Sequence, residues 1–227
     1  RLMQGEKLAA IGEMAATIAH ELKGPLVSIG GFARRLARKI PQSTPEGKAA
    51  DTIVKEALRL EKMLSDILSY ARKPSLCYSP CDLREIMEDS LRLVMPSLEE
   101  CGIAVTTLYR EVPTFMGDFQ QLKQLFLNLL LNAQEAMRCG GRLDASIEPA
   151  SLGGLPAVAV TIADTGSGVP VELLNSIFNP FFTTKPHGTG LGLPIVHRIV
   201  TNHGGKIEVR NRAGGGAEFR VLLPAGG

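Results

Sequence analysis

The chain has 227 residues, 44% of them hydrophobic and 21% charged, with a net charge of +2. That length suits one large or two small domains, and a near-neutral balance with dispersed Lys and Arg gives no electrostatic case for nucleic acid as a partner. The richest apolar stretch, LFLNLLLNA, is interrupted by Asn128 and Asn132 and falls short of the roughly 18 residues that span a bilayer.

No signal peptide is legible and the first residue is Arg1, so the chain reads as a piece of a longer one; any membrane segment would precede it. From about Gly5 to Ala71 nothing has the alternation of a strand. Leu8, Ile11, Ala15, Ile18, Leu22, Leu26, Ile29 and Leu36 recur at the three- and four-residue steps of one apolar helix face. PQSTPEG breaks that run, with Thr44 as an N-cap and Pro45 at the first position of a new helix. Ile53, Ala57, Leu60, Leu64, Ile67 and Leu68 mark its buried face. Two long helices and a short loop make an antiparallel hairpin. Two helices bury little apolar surface by themselves, so a second copy is expected to complete a four-helix bundle, and packing predicts a homodimer.

KPSLCYSPCD has two prolines and no period, and reads as a linker. Asp82 and Glu85 then form a capping-box pattern that opens a helix to about Glu100. The strand-like IAVTTLY follows, then a helix from about Phe119 to Met137. GRLDASIE and AVAVTIAD are strands separated by the turn-rich PASLGGLP. A glycine-rich loop, a helix from about Leu191 to His203 and a hairpin of KIEVRNR with AEFRVLL complete the chain. Helices and strands that do not strictly alternate predict an α+β layer. Cys77, Cys81, Cys101 and Cys139 lack CxxC spacing and read as free thiols of a reducing compartment rather than zinc ligands.

Four stretches carry chemistry. In ATIAHELKGPLVSIGGF, His20 lies about 200° from both Ile18 and Leu22 at about 100° per residue, and so points away from the apolar stripe. A lone exposed histidine is most often idle. Here Glu21 can orient the imidazole and take its proton, while Gly24 and Pro25 weaken the helix one turn on, so the segment reads as a hinge beside a nucleophile. In QLFLNLLLNAQEAM, Asn128 and Asn132 share a helix face beside the core positions Leu125, Leu129 and Ala133. Half-buried amides need partners, and an oxygen-liganded Mg²⁺ is one; capping of neighbouring backbone is the other. IADTGSGVP ends an apolar strand on Asp164, a carboxylate that needs a donor such as the adenine amine, with Gly166 and Gly168 allowing close approach. In FNPFFTTKPHGTGLGLPIVHRIV, Gly188, Gly190 and Gly192 sit at a helix start whose free N–H groups suit an anion, with Lys185 and His187 adding charge. Phe178, Phe181 and Phe182 read as lid packing. A Rossmann site is excluded because no βαβ strand precedes the glycines.

AHELKGPL, NLLLNAQEAM, DTGSGVP, FNPFFTTK and GTGLGL occur in that order, and together they resemble the H, N, G1, F and G2 boxes of bacterial sensor histidine kinases, most closely the nitrogen-regulatory type of two-component sensor. The resemblance covers nearly the whole chain. It implies a dimerisation and histidine-phosphotransfer hairpin (residues 1–74), a linker (75–81) and a Bergerat-type α/β sandwich that binds ATP (82–227). By that resemblance His20 is the phosphorylated residue and Glu21 its acid/base neighbour. Asn132, with Asn128 beside it, would hold Mg²⁺, and Asp164 would bind the adenine amine. Gly166, Gly168, Lys185, Gly188, Thr189, Gly190, Leu191 and Gly192 would shape the nucleotide pocket and lid. A cytoplasmic location and a response-regulator receiver whose aspartate accepts the phosphoryl group are implied with them. One departure stands out: relatives commonly carry Asn or Thr four residues after the histidine, and here that residue is Gly24. Kinase chemistry with weak or absent phosphatase activity is the expectation. An ATPase that only drives conformational change, and a nucleotide-binding scaffold, are the competing readings.

Overall fold

A computed structural model of the chain describes residues 21–22, 24–71, 76–137, 140–185 and 188–225. His20, Cys139, His187, the helix positions before Glu21 and the Lys73 end of the linker lie outside them. The chain forms two compact units, Arg1–Pro74 and Ser75–Gly227.

In the first unit residues 21–22 and 24–37 are helical (α1), so Pro25 does not end the helix, and α2 runs Pro45–Ala71. Thr44 caps α2 as expected, its hydroxyl oxygen accepting the Gly47 N–H at 3.0 Å. The residues buried in the hairpin are mostly small: Gly30, Ala33, Gly47, Ala50 and Ala57, with Leu64. A Cβ on Gly30 would lie 3.4 Å from that of Ala57 and 3.1 Å from Glu61 Oε1, so the two helices approach closely at these small residues. The large apolar residues go elsewhere. Leu22, Ile29, Leu36, Ile53 and Leu60 of the apolar stripe, together with Phe32, are 40% to 70% exposed, so the stripe is covered in a single chain only in part, at Ala57 and Leu64.

The second unit contains β1 (Ser79–Cys81), α3 (Leu83–Glu100), β2 (Ile103–Tyr109), β3 (Phe115–Gly117), α4 (Phe119–Met137), β4 (Gly141–Leu152), β5 (Leu155–Asp164), α5 (Gly192–Asn202), β6 (Lys206–Asn211) and β7 (Ala217–Pro224). Five strands form a sheet of order β2-β4-β5-β7-β6, in which only β2 and β4 are parallel. The amphipathic α4 packs between α3 and α5 and against β5, and this makes the expected α/β sandwich. Leu122, Leu125, Phe126, Leu129 and Leu130 of α4 and Val158, Val160 and Ile162 of β5 are at most 1% exposed. Asp82 caps α3 as its sequence pattern requires, accepting the N–H groups of Arg84 at 2.8 Å and Glu85 at 3.4 Å. No helix among the described residues is long and apolar enough to cross a membrane.

Two segments differ from the sequence reading. Residues 75–81, read as linker, contribute β1, which pairs antiparallel with β3 in the register Ser79↔Gly117. PASLGGLP, read as a turn-rich break, is strand: the β4–β5 ladder runs from Leu143↔Asp164 to Leu152↔Leu155. Only Gly153 and Gly154 form the turn, at φ +60° and +84°, and a two-residue hairpin turn with positive φ at both positions selects glycine.

The beginning of this unit is stapled to both helices that frame the site below. The Cys77 N–H donates to Asp118 Oδ2 at 3.1 Å, and Asp118 Oδ1 accepts the Gln121 N–H at 3.1 Å in the first turn of α4. Tyr78 donates its hydroxyl to the Asn202 carbonyl, 2.7 Å away at the end of α5. His203, 5% exposed, lies between the rings of Tyr78 and Phe115. Its Nε2 accepts the Asp118 N–H at 3.0 Å, which leaves Nδ1 to donate to the Ile199 carbonyl at 2.8 Å. His203→Ala would empty a packed ring site and leave the buried Asp118 N–H without a partner, while the Ile199 carbonyl keeps the His203 backbone N–H at 3.1 Å, so it is expected to cost about 3 kcal/mol of stability, read as a lowered urea midpoint.

Candidate nucleotide site

Leu125, Leu129 and Ala133 anchor α4 in the core, and this turns Asn128 and Asn132 toward the start of α5. A Cβ on Gly192 would lie 3.8 Å from Asn132 Nδ2 and 4.0 Å from Asn128 Oδ1. Both amide nitrogens are buried with no hydrogen-bond partner among the described residues. Burying such donors without a partner is expensive, and amides that face a ligand are left in this condition by the protein alone. Lys185 donates to Asn132 Oδ1 at 3.4 Å and is ion-paired with Glu135. Glu135 is not among the residues that the sequence pattern singles out, although it lies three residues after Asn132 and hence on a neighbouring helix face.

Asp164, the last residue of β5, is 2% exposed. Its Oδ1 accepts the N–H groups of Gly166 at 2.8 Å and Ala217 at 3.2 Å. Burial pushes its carboxyl above the ordinary aspartate range, while the two backbone bonds and the charges of Arg212 and Lys185 pull it back. Gly166 lies against α4, where a Cβ would come 2.6 Å from the Ala136 carbonyl oxygen, so the carboxylate and the asparagines are tied to one helix. Gly168 stands against Asn211.

The glycine-rich lid enters α5 directly. Gly190 accepts the Phe181 N–H at 3.0 Å. It has φ +66°, and a Cβ there would come 2.5 Å from the Phe181 carbonyl carbon, so neither its conformation nor its space admits a side chain. Gly188 packs on Thr183, and the Leu191 N–H donates to the Thr189 hydroxyl at 3.3 Å. Two sequence expectations change here. Leu191 is 1% exposed and belongs to the core by its side chain, so it can serve a ligand only through its backbone. Phe178 stacks on His197 as lid packing would, whereas Phe181 is 60% exposed at φ +65°.

Asn128, Asn132, Lys185 and Gly192 therefore converge at the N-terminus of α5, and Asp164, Gly166 and Gly168 form a second cluster joined to it through α4. Helix N-terminal amides, a lysine and unpartnered side-chain amide N–H groups suit phosphates, and a buried carboxylate suits a hydrogen-bond donor on a base. Glu21 is exposed on α1, in the other unit.

Comparison with known proteins agrees with this chemistry. Residues 117–227 match the family described as histidine kinase-, DNA gyrase B- and HSP90-like ATPase, and residues 10–76 match the His Kinase A (phospho-acceptor) domain. The sensor histidine kinase ZraS of Klebsiella oxytoca is 38% identical over 223 residues, 98% of this chain and 48% of that protein. The structure of full-length ShkA in complex with AMPPNP superposes with a TM-score of 0.75 at 29% identity, covering 93% of this chain and 45% of that one. The catalytic domain of the histidine kinase ThkA is 32% identical, with 66% of this chain matching 96% of that domain at a TM-score of 0.60. ThkA in complex with the response regulator protein TrrA matches 97% of this chain and 64% of that one, at 31% identity and a TM-score of 0.71. The chain belongs to the sensor histidine kinases, with a phospho-acceptor domain followed by an ATPase domain. It spans about half the length of curated relatives such as ZraS.

Proposed function

We propose that the chain is an ATP-dependent protein histidine kinase that phosphorylates its own His20 and passes the phosphoryl group to an aspartate of a response-regulator receiver in two-component signalling. The observation that carries the reading is the pair of buried, partnerless amides of Asn128 and Asn132, set against Lys185 and the first turn of α5. That arrangement fits the phosphates of ATP, and Asp164 fits its adenine amine. The domain matches and the ThkA complex with its regulator support acceptor and partner alike.

Asn132 and Asn128 offer amide oxygens of the hard kind that Mg²⁺ takes alongside phosphate and water oxygens. The ion would supply neutralisation of charge on the β- and γ-phosphates. Lys185 and the α5 amides would stabilise the same charge and hold the triphosphate in line. A ring nitrogen of His20 forms the N–P bond as the bond from the γ-phosphorus to the bridging oxygen breaks; ADP carries away that electron pair, and Glu21 takes the ring proton. Gly24 has no side chain to orient a water for hydrolysis of the phosphorylated receiver aspartate. A Cβ there would meet nothing within 4 Å, so the expected weakness in phosphatase activity is chemical and not steric.

The exposed large apolar residues of the hairpin, which a second copy would cover, support a homodimer. Ile29 is 52% exposed in the single chain, so Ile29→Glu is expected to leave each chain folded while shifting the dimer to monomer by at least tenfold in dissociation constant, measured by analytical ultracentrifugation. Cys77, Cys81 and Cys101 are free thiols, in keeping with the cytoplasm, where ATP is available. The finer likeness, to nitrogen-regulatory sensors, rests on the spelling of the five boxes.

The test is incubation with γ-labelled ATP and Mg²⁺. Label on the protein that is lost in acid and kept in alkali is the expected result, and label of hydroxyl-ester stability would overturn the reading.

A further inference from the structure

We infer that the turn between β6 and β7 is a specificity clamp for the nucleotide base, in which Asn211 and Arg212 act as positioning residues that fix the loop after β5 so that Asp164 can discriminate adenine. The inference rests on the proposed reading of Asp164 as the base-recognition carboxylate.

Asp164 ends β5, and the chain then runs through Gly166 and Gly168 to Val169 without regular structure. Within the loop the Gly166 N–H closes on Asp164 Oδ1 at 2.8 Å, and the Thr165 hydroxyl accepts the Arg142 N–H at 2.9 Å. Val169 and the Asp164 backbone are held by residues more than forty positions away. Asn211, the last residue of β6, pairs its amide with both backbone groups of Val169: Oδ1 accepts the N–H at 2.8 Å and Nδ2 donates to the carbonyl at 2.6 Å. An amide edge that meets the N–H and C=O of one residue reproduces a strand pairing, and fixes that residue's position and rotation together. Gly168 closes on the same amide, since a Cβ there would lie 2.9 Å from Asn211 Oδ1.

Arg212 grips the other end of the loop. Its Nη1 donates to the Asp164 carbonyl at 3.3 Å and to Asp144 Oδ2, on β4, at 3.1 Å. Asp144 thus holds the guanidinium on the backbone of the recognition residue. The turn is closed by the Arg212 N–H on the Gly216 carbonyl at 3.0 Å, and it delivers the Ala217 N–H to Asp164 Oδ1 at 3.2 Å. One turn therefore holds Val169 by side chain and Asp164 by side chain and backbone. With Oδ1 engaged by Ala217 and Gly166, the rotation of the carboxylate is fixed, and so is the direction of its second oxygen.

Direction is what base discrimination needs. Adenine presents a donating amine where guanine presents an accepting carbonyl, and an ionised carboxylate attracts the first and repels the second. The contrast is large only while the carboxylate stays aimed, because a site that can turn away loses both the attraction and the repulsion. The clamp touches neither the asparagines of α4 nor Lys185, so its loss should act on the base and leave phosphate chemistry in place.

The experiment uses the whole chain and calorimetric titration with Mg-ATP and Mg-GTP. Asn211→Ala is expected to weaken ATP about tenfold and GTP less than twofold, with the labelling rate at saturating ATP within about twofold of wild type. Asn211→Asp keeps an acceptor for the Val169 N–H but sets an oxygen against the Val169 carbonyl, and should fall at least as far. An unchanged ATP-to-GTP ratio in Asn211→Ala, or equal losses for both nucleotides, overturns the clamp. Asp164→Asn separates the two levels of the argument. If that change leaves the ratio intact, the carboxylate is not the base reader and the underlying reading fails; if it collapses the ratio while Asn211→Ala does not, the clamp alone fails.

Discussion

Asp164→Asn is expected to weaken ATP binding about a hundredfold and, in the same protein, to raise the melting temperature of the nucleotide-free chain at neutral pH. The two effects have one cause. The amide that replaces the carboxylate keeps an oxygen that can accept from Gly166 and Ala217 as Asp164 Oδ1 does, so the loop retains its backbone bonds. Its second group becomes an NH₂ donor facing the adenine amine, which is also a donor. Losing a charge-assisted bond and opposing two donors is worth about 2–3 kcal/mol, on the order of a hundredfold in affinity. In the absence of nucleotide, burial holds the Asp164 carboxyl above its ordinary range, so ionisation works against the fold. For a raised carboxylate the stability contribution is full below the unfolded value of about 3.9 and is lost as pH rises through the folded value. The neutral variant escapes that loss. Its advantage in melting temperature should therefore be near zero at about pH 3.5, grow across the window above the ordinary value, and level off once wild-type Asp164 is ionised. Thermal scans from acid to neutral pH, with titration of Mg-ATP, check both halves. A variant that melts lower than wild type at neutral pH, or binds ATP as well, would refute the assignment.

Much of this is legible in the sequence wherever a local period or a cap decides structure. The break at Pro41–Pro45, the Thr44 cap of α2 and the Asp82 cap of α3 follow from a few adjacent residues, and all are observed. The spacing of Asn128 and Asn132 is informative because a helix turns i and i+4 to one side whatever lies around it. Elements that depend on distant partners are not legible. β1 and β3 have three residues each, too few for any alternation to register, and exist because they pair with one another. PASLGGLP has the composition of a loop, but the facing strand supplies a ladder that holds Pro149 and Ser151 extended. The same limit applies within the site. Lys185 meets Asn132 across 53 positions and Asn211 meets Val169 across 42, and neither pairing leaves a mark in the intervening sequence. The hairpin is an intermediate case: Ala57 and Leu64 of its apolar period are buried within one chain, while Leu22, Ile29, Leu36, Ile53 and Leu60 are exposed, as expected of a face that awaits a second copy.

Replacing His20 by alanine is expected to abolish protein labelling from γ-labelled ATP, by at least about a thousandfold, while Mg-ATP affinity stays within about twofold of wild type. The separation follows from the division of labour between the units. The groups assigned to the nucleotide, from Asn128 to Gly192, all belong to the second unit and are held by α4, β5 and the lid, none of which needs the acceptor to keep its shape. His20, the nucleophile of the proposed reaction, belongs to the first. An exposed Glu21 beside it can take a proton but cannot replace it, since a carboxylate attacking phosphorus would give an acyl phosphate that alkali cleaves rapidly. The measurement thus distinguishes the competing chemistries by product as well as by rate. Full ATP turnover with no label in either protein is the behaviour of an ATPase that uses nucleotide to drive a shape change, and would displace the kinase reading. Nucleotide binding without turnover in wild type would leave a scaffold. Label present in wild type, lost in acid, kept in alkali and absent from His20→Ala is the outcome that a phosphohistidine at position 20 produces.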